Sequence, residues 1–300
     1  MTSDTSKKSV PRGFWTVWTS VALDLLGFGI IIPILPLYAS DFGASPYMIG
    51  LLLASYSLAQ FIFSPIWGRV SDRVGRKPVL VVTLVGSAIG SLVLGLAGSI
   101  LILFVGRIID GVSGASVAVA RAVVADTADE KDRPRLMGYL GAAFGVGFVL
   151  GPALGGLAGL FGTRVPFFIA GALAAINAVV AWYRLDETRK EPIAKSPSLM
   201  RSVRELDGGL TTLIALSFVA VAAFSLFETT FALLAADRLD LSAPQISMVF
   251  AFVGVILVTT QAGLVGPASK RFSEISLIGL GLSLNVAGFL VVAFSTSLLS

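Results

Sequence analysis

Three hundred residues with 55% apolar content and only 13% charged residues, at a mean hydropathy of +0.89, exclude an ordinary soluble protein, which carries about 25% charge. The absence of Cys and His excludes disulfides, thiolate chemistry, imidazole bases and the usual zinc ligand sets, and no metal or other cofactor is expected. A net charge of +4 does not point to nucleic acid, because in so apolar a chain the placement of the basic residues matters more than their sum.

Crossing roughly 30 Å of hydrocarbon as a helix takes about 20 apolar residues. Nine such runs can be marked, at about 15–37, 48–67, 78–98, 100–125, 137–160, 165–183, 210–235, 245–265 and 275–297. The polar tail 1–14, with Lys7, Lys8 and Arg12, precedes a run longer than a signal-peptide core, so the first run reads as a retained helix. Alternate loops hold 18 of the 22 Lys and Arg, the other loops two, and helix four the remaining two, Arg107 and Arg121. By the positive-inside rule the N-terminus lies in the cytoplasm and the last residue outside. Residues 184–209, with Pro192 and Pro197, form the longest polar stretch and read as a cytoplasmic linker. It separates a six-helix bundle at 15–183 from a partial second bundle at 210–300. Sliding the chain along itself lays Pro46 on Pro244, Gly68 on Gly266 and Arg73 on Arg271, and superposes helices one to three on helices seven to nine. Such a parallel repeat is one of the known transporter plans, with substrate held between the halves near the bilayer midplane.

Helix one carries Asp24, a rise of about 14 Å into the membrane and close to its centre. A desolvated carboxyl there can bind and release a proton during a cycle. Tyr56 and Gln60 in helix two and Asn285 in helix nine are polar groups that either meet a substrate in a cavity or hydrogen-bond neighbouring helices. The loop after helix two reads Gly68-Arg69-Val70-Ser71-Asp72-Arg73-Val74-Gly75-Arg76-Lys77-Pro78. Gly68 permits close approach of a neighbouring backbone, Asp72 can pair with Arg76, Gly75 allows a tight turn, and Pro78 opens helix three.

Helix four holds Arg107, Asp110 and Arg121. A mid-membrane charge costs at least about 2.5 kcal/mol, so partners are required. At helical spacing all three can share one inward face, although Arg121 sits near the surface, where snorkelling accounts for it. Helix five carries Gly138, Gly141, Gly145, Gly147, Gly151, Gly155, Gly156 and Gly159, with Pro152 adding a kink; small residues so spaced let helices touch backbone to backbone. Glu228 is a further acid, in helix seven.

These motifs together resemble the major facilitator superfamily, and within it the drug:proton antiporter branch with twelve helices. The Gly68–Pro78 loop is similar to the family's first signature, and Gly147-x-x-x-Gly151-Pro152-x-x-Gly155-Gly156 to its antiporter signature. Arg107 with Gly111 and Gly114 resembles its helix-four signature, and the stretch from Asp24 to Pro36 resembles helix one of tetracycline exporters. The resemblance implies an all-α membrane protein with the major facilitator fold, a six-helix N-terminal bundle plus three helices of a C-terminal bundle. It implies a gating charge relay of Asp72, Arg76 and Asp126, with Gly68, Arg73 and Gly75 in the same motif. It links Arg107 and Asp24 to proton coupling; from the residues themselves Asp110 and Glu228 join them as proton-coupling candidates, and Tyr56, Gln60 and Asn285 are candidates for a substrate cavity.

The function implied is export of a small amphipathic compound against protons by a monomer in the cell membrane, with no nucleic-acid partner. An importer of a sugar or metabolite on the same fold is the alternative, and a receptor or scaffold without transport is a third reading. An intramembrane enzyme would need a Ser-Lys or Asp-Asp arrangement, and no lysine lies inside a span. Asn285 stands in the neighbourhood where tetracycline exporters have an acid in helix nine, and Gly90 where they have one in helix three; both departures argue against tetracycline as substrate. Twelve crossings need roughly 400 residues, so the resemblance also implies that helices ten to twelve are missing from this chain.

Overall fold

The computed structural model describes residues 10–11, 13–188, 208–260, 264, 267–268 and 271–294. Most of the expected tail and linker, and Gly266 of the expected repeat, lie outside these residues. The described residues form helices joined by short turns, with no strand among them.

α1, Phe14–Ile31, ends where Pro33 enters the apolar run. Proline has no N–H to give and its ring clashes with the carbonyl four residues back. α2, Leu35–Ser40, restarts with Pro36 in its first turn, so the first expected span is two helices. α3, Pro46–Val74, is capped by Ser45, whose hydroxyl accepts from the Met48 N–H. It runs past its expected end, so that Gly68 to Val74 are helix and only Gly75 breaks the chain before α4, Arg76–Gly95. The expected loop is therefore two helix ends meeting at one glycine, and Pro78 lies inside the first turn of α4.

The fourth expected span is also divided, into α5, Ile100–Ser113, and α6, Ser116–Thr127, with Gly114 and Ala115 outside both. α7, Arg133–Gly159, and α8, Val165–Arg184, complete the first set. Beyond the linker come α9, Gly208–Leu239, α10, Ala243–Thr259, and α11, Glu274–Phe294. α3 and α10, which the repeat lays on each other, both start from a Ser cap with Pro in the first turn. Among the described residues eight stretches are long and apolar enough to cross a membrane. Nine were expected; α10, with 17 residues, rises only about 26 Å, and residues 261–263 of its expected run lie outside the description.

α1 packs against α7 and α8, α4 against α5 and α8, α3 against α5, and α10 against α7. The interior of the first bundle is two apolar clusters stacked along its axis. One, around Val17, Val21, Leu80, Val119 and Leu136, lies toward the N-terminal end. The other, around Ile30, Leu35, Leu52, Leu94 and Phe167, lies toward the far end. Outward faces are apolar as well, with Trp182, Phe218 and Val291 exposed, which suits hydrocarbon and not water.

Candidate functional site

Between the two apolar clusters lies a thin polar layer, and Asp24 of α1 is its centre. The Ser116 hydroxyl donates to Asp24 Oδ2 at 2.5 Å. Ser116 can do so because the span has just been interrupted: it is the first residue of α6, immediately after the Gly114–Ala115 break. Interrupting a membrane helix frees backbone carbonyls that must find donors elsewhere. Gln60 Nε2 donates to the Gly114 carbonyl at 2.8 Å, and Trp67 Nε1 to the Val112 carbonyl at 2.6 Å, both from α3. Gln60 Nε2 also lies 3.1 Å from the Tyr56 hydroxyl oxygen, to which it donates.

Arg107 is 1% exposed. Its guanidinium lies over the Tyr56 ring, 4.2 Å from the centroid, a cation–π contact that partly offsets desolvation. Its ion pair with Asp110 is stretched to 3.5 Å, and Ser87 lines the adjoining cavity with the same carboxyl. Glu228, from α9, is within electrostatic range of Arg107. Arg107 Nε and Glu228 Oε1 are buried without a hydrogen-bond partner among the described residues. Asp110 also leaves no space opposite it: a Cβ on Gly90 would lie 2.9 Å from Asp110 Cβ, so an acid at position 90 does not fit this packing. Asp110 and Arg121 sit on either side of the helix break and both border this cavity, Asp110 buried and Arg121 exposed toward its end.

A cavity of about 960 Å³ adjoins the polar layer. Asp24, Tyr56, Gln60, Asp110 and Ser116 are on its wall with Phe28, Phe61 and Phe144, and it extends toward the end bearing Arg69 and Arg121. At the opposite end the bundles meet: Leu37 of α2 packs on the cluster of Ala232, Ala235, Ile246 and Phe250. Asn285 does not reach this cavity; it is exposed on α11 and donates to the Gly281 carbonyl of its own helix.

A second polar cluster lies at the N-terminal end of the bundle. Arg76, its side chain 4% exposed, pairs with Asp72 at 2.8 Å and Asp126 at 2.8 Å, and donates to Ser71 Oγ at 2.6 Å. Gly75 has φ +107°. Glu187, just beyond α8, sits against it and accepts from the Arg76 and Lys77 backbone N–H groups at 2.9 and 3.2 Å, filling the start of α4 with negative charge where unpaired N–H groups favour it. Gly68 does not serve as a close-approach site, since no described atom lies within 4 Å of where its Cβ would be. Arg73 is exposed and takes no part in the cluster.

On α7 one glycine face meets α1. Cβ atoms on Gly147, Gly151 and Gly155 would lie 2.8, 2.6 and 2.7 Å from backbone atoms of Leu25, Gly29 and Ile30. Another meets α10, where a Cβ on Gly156 would lie 2.8 Å from Ser247 Cβ and one on Gly145 2.7 Å from Val258 Cγ2. α7 is thus packed between the first bundle and the second. Pro152 lies inside the same helix.

Residues 17–300 match the profile of the Major Facilitator Superfamily. The chain belongs to the major facilitator superfamily. It is 35% identical over 290 residues to the class C tetracycline resistance protein of Escherichia coli, covering 92% of this chain and 72% of that one. It is 30% identical over 301 residues to multidrug resistance protein 2 of Bacillus subtilis (strain 168), covering 94% and 75%. Among solved structures, a bacterial homolog of the human lysosomal transporter Spinster, in an inward-facing and occupied conformation, superposes with a TM-score of 0.75 at 18% identity, over 95% of this chain and 68% of that one. That likeness carries the fold alone. The resemblance to the drug:proton antiporter branch agrees with these relatives, and the chain is a multi-pass membrane protein.

The structure brings together Asp24, Arg107 and Asp110, expected for proton coupling, with Tyr56 and Gln60, expected separately for a substrate cavity, and Asp72, Arg76 and Asp126 meet in the second cluster. Ser116, Ser87, Trp67 and Glu187 were not among the expected residues. A Gly-Ala pair followed by Ser inside an apolar run was the available signal for Ser116. Glu187, an acid at the mouth of a polar linker, carried no signal, because its partner is a helix N-terminus more than a hundred residues earlier.

Proposed function

We propose that this protein exports small amphipathic compounds in exchange for protons moving inward, alternately exposing one central cavity, with its N-terminal end in the cytoplasm. The observation that carries the reading is Asp24, an acid at mid-span on the wall of a cavity large enough for a drug-sized molecule. It is hydrogen-bonded to Ser116 and within electrostatic range of Asp110. A titratable group on the wall of the cavity that holds substrate can couple the two, since either ligand changes the free energy of the other. Resistance to tetracycline and to multiple drugs, named for the relatives, supports export of drug-like compounds.

Each polar cluster takes a role in this reading. Asp24, Arg107, Asp110 and Glu228 form the proton-coupling set, with Arg107 shared between acids of its own bundle and of α9. Asp72, Arg76 and Asp126 form a charge relay that steadies one conformation of the N-terminal end, where the cavity extends. In the antiporter stretch of α7, with Pro152, Gly147, Gly151 and Gly155 hold α7 against α1, while Gly156 faces α10, which rocks against that side of α7. Tyr56 and Gln60 contact the substrate.

The test is transport in vesicles. With the protein reconstituted and a pH gradient imposed, adding members of a panel of amphipathic compounds, tetracycline included, dissipates the gradient for those that are substrates, and Asp24→Asn abolishes the effect. Gradient loss that persists in Asp24→Asn removes Asp24 from the proton path, and accumulation of compound in expressing cells reverses the direction.

A further inference from the structure

The lipid-facing surface is grooved between α4 and α8. Ala88, Ala175 and Ala178 leave a floor of small side chains, and Val85, Ile89 and Val179 stand about half exposed along its sides. The space is about 420 Å³. At the end nearest the N-terminus the groove finishes in Trp182 and Tyr183, and the Lys77 ammonium lies 5.5 Å from the Trp182 ring centroid. Arg184 closes α8 beside them. Neither Lys77 nor Arg184 belongs to an ion pair among the described residues, whereas the adjacent Arg76 has two carboxylates and a hydroxyl. Nearby Glu187 accepts from two backbone N–H groups at the start of α4.

We propose that this groove binds an anionic phospholipid from the leaflet on the N-terminal side, one acyl chain lying on the alanine floor and the phosphate meeting Lys77. A recess on the face of two membrane spans is filled by acyl chain, since it faces hydrocarbon and is lined by apolar side chains. The headgroup is selected at the mouth. An indole and an amphipathic lysine stem hold an unpaired ammonium at interfacial depth, and a basic residue at that depth favours an anionic lipid by about fivefold. A zwitterionic lipid would bring a second cation to the same place. Lys77 directly follows Arg76, so the bound phosphate sits one residue from the Arg76 cluster and adds negative charge at the first turn of α4. The site is independent of the transport cycle proposed above, because binding is read without substrate or gradient.

The experiment is quenching of tryptophan fluorescence by lipids brominated on the acyl chain. The Trp182 contribution is taken as the difference between the unaltered protein and Trp182→Phe. Brominated phosphatidylglycerol half-saturates that contribution at about fivefold lower mole fraction than brominated phosphatidylcholine. Lys77→Gln brings the two lipids together, and Lys77→Arg keeps them apart, which guards against a folding defect. Lys131→Gln, in the exposed turn between α6 and α7, leaves the preference unchanged. Equal quenching by both lipids in the unaltered protein overturns the proposal. So does a preference that survives Lys77→Gln, or one that Lys131→Gln abolishes as well.

Discussion

The Ser116 hydroxyl donates a hydrogen bond to Asp24 across the α1/α6 contact, and it is placed to do so by a break in its own membrane span. One buried acid thereby has a local partner that a continuous helix would have turned elsewhere. The break in turn depends on α3, whose Gln60 and Trp67 side chains occupy the carbonyls it frees. Three helices are therefore committed to one hydrogen bond at the centre of the bundle.

Removing that hydroxyl tests its part in coupling. A hydrogen bond to a charged group contributes about 1.5–3 kcal/mol, so Ser116→Ala lowers proton-driven transport by about tenfold or more at fixed substrate, while Ser116→Thr, which keeps the donor, stays within a few-fold of the unaltered protein. Initial rates in vesicles at a fixed pH gradient distinguish the two. Equal rates in Ser116→Ala and the unaltered protein would falsify a coupling role for this bond.

The helix break has its own prediction. Gln60→Leu leaves the Gly114 carbonyl without its donor in a site that otherwise faces apolar groups and the cavity, at a cost of about 1–3 kcal/mol. Thermal unfolding in detergent shifts down by several degrees, and the loss is seen without substrate. An unchanged midpoint would mean that water in the cavity replaces the amide.

The spans were legible because hydropathy needs only composition over about twenty residues, and the acids stood out because each is an isolated charge in such a run. The breaks were not. Pro33 and the Gly114–Ala115 pair change no window average, and whether Gly, Ala or Pro interrupts a membrane helix depends on donors such as Gln60 that another helix supplies. Gly68 and Asn285 were placed by motif and position alone, and neither the packing at Gly68 nor the exposure of Asn285 could be read from those.

Glycines on α7 divide into those with a neighbour and those without. At Gly151 a Cβ would lie 2.6 Å from Gly29 Cα, whereas at Gly159 nothing lies within 4 Å. Two backbones cannot yield as a flexible side chain can, so Gly151→Ala costs about 1–3 kcal/mol of stability through overpacking. Gly159→Ala is neutral or slightly stabilising, since alanine has the higher helix propensity. Melting midpoints of the two variants, measured side by side in one detergent, check this.

The meeting of α3 and α4 supports a coupled prediction. Gly75 takes φ +107°, which alanine adopts only with strain, and the Glu187 carboxylate occupies the space where a Cβ would stand. Gly75→Ala therefore carries two costs: backbone strain, and displacement of Glu187 from the Arg76 and Lys77 N–H groups. Glu187→Ala removes the carboxylate and so carries only the second. In the double variant the strain is counted once and the displaced interaction once, so its destabilisation falls short of the sum of the singles by about 1 kcal/mol or more. Four melting curves close the cycle. Strict additivity would mean that Glu187 shifts aside without losing its hydrogen bonds, and that Gly75 is required for its backbone angle alone.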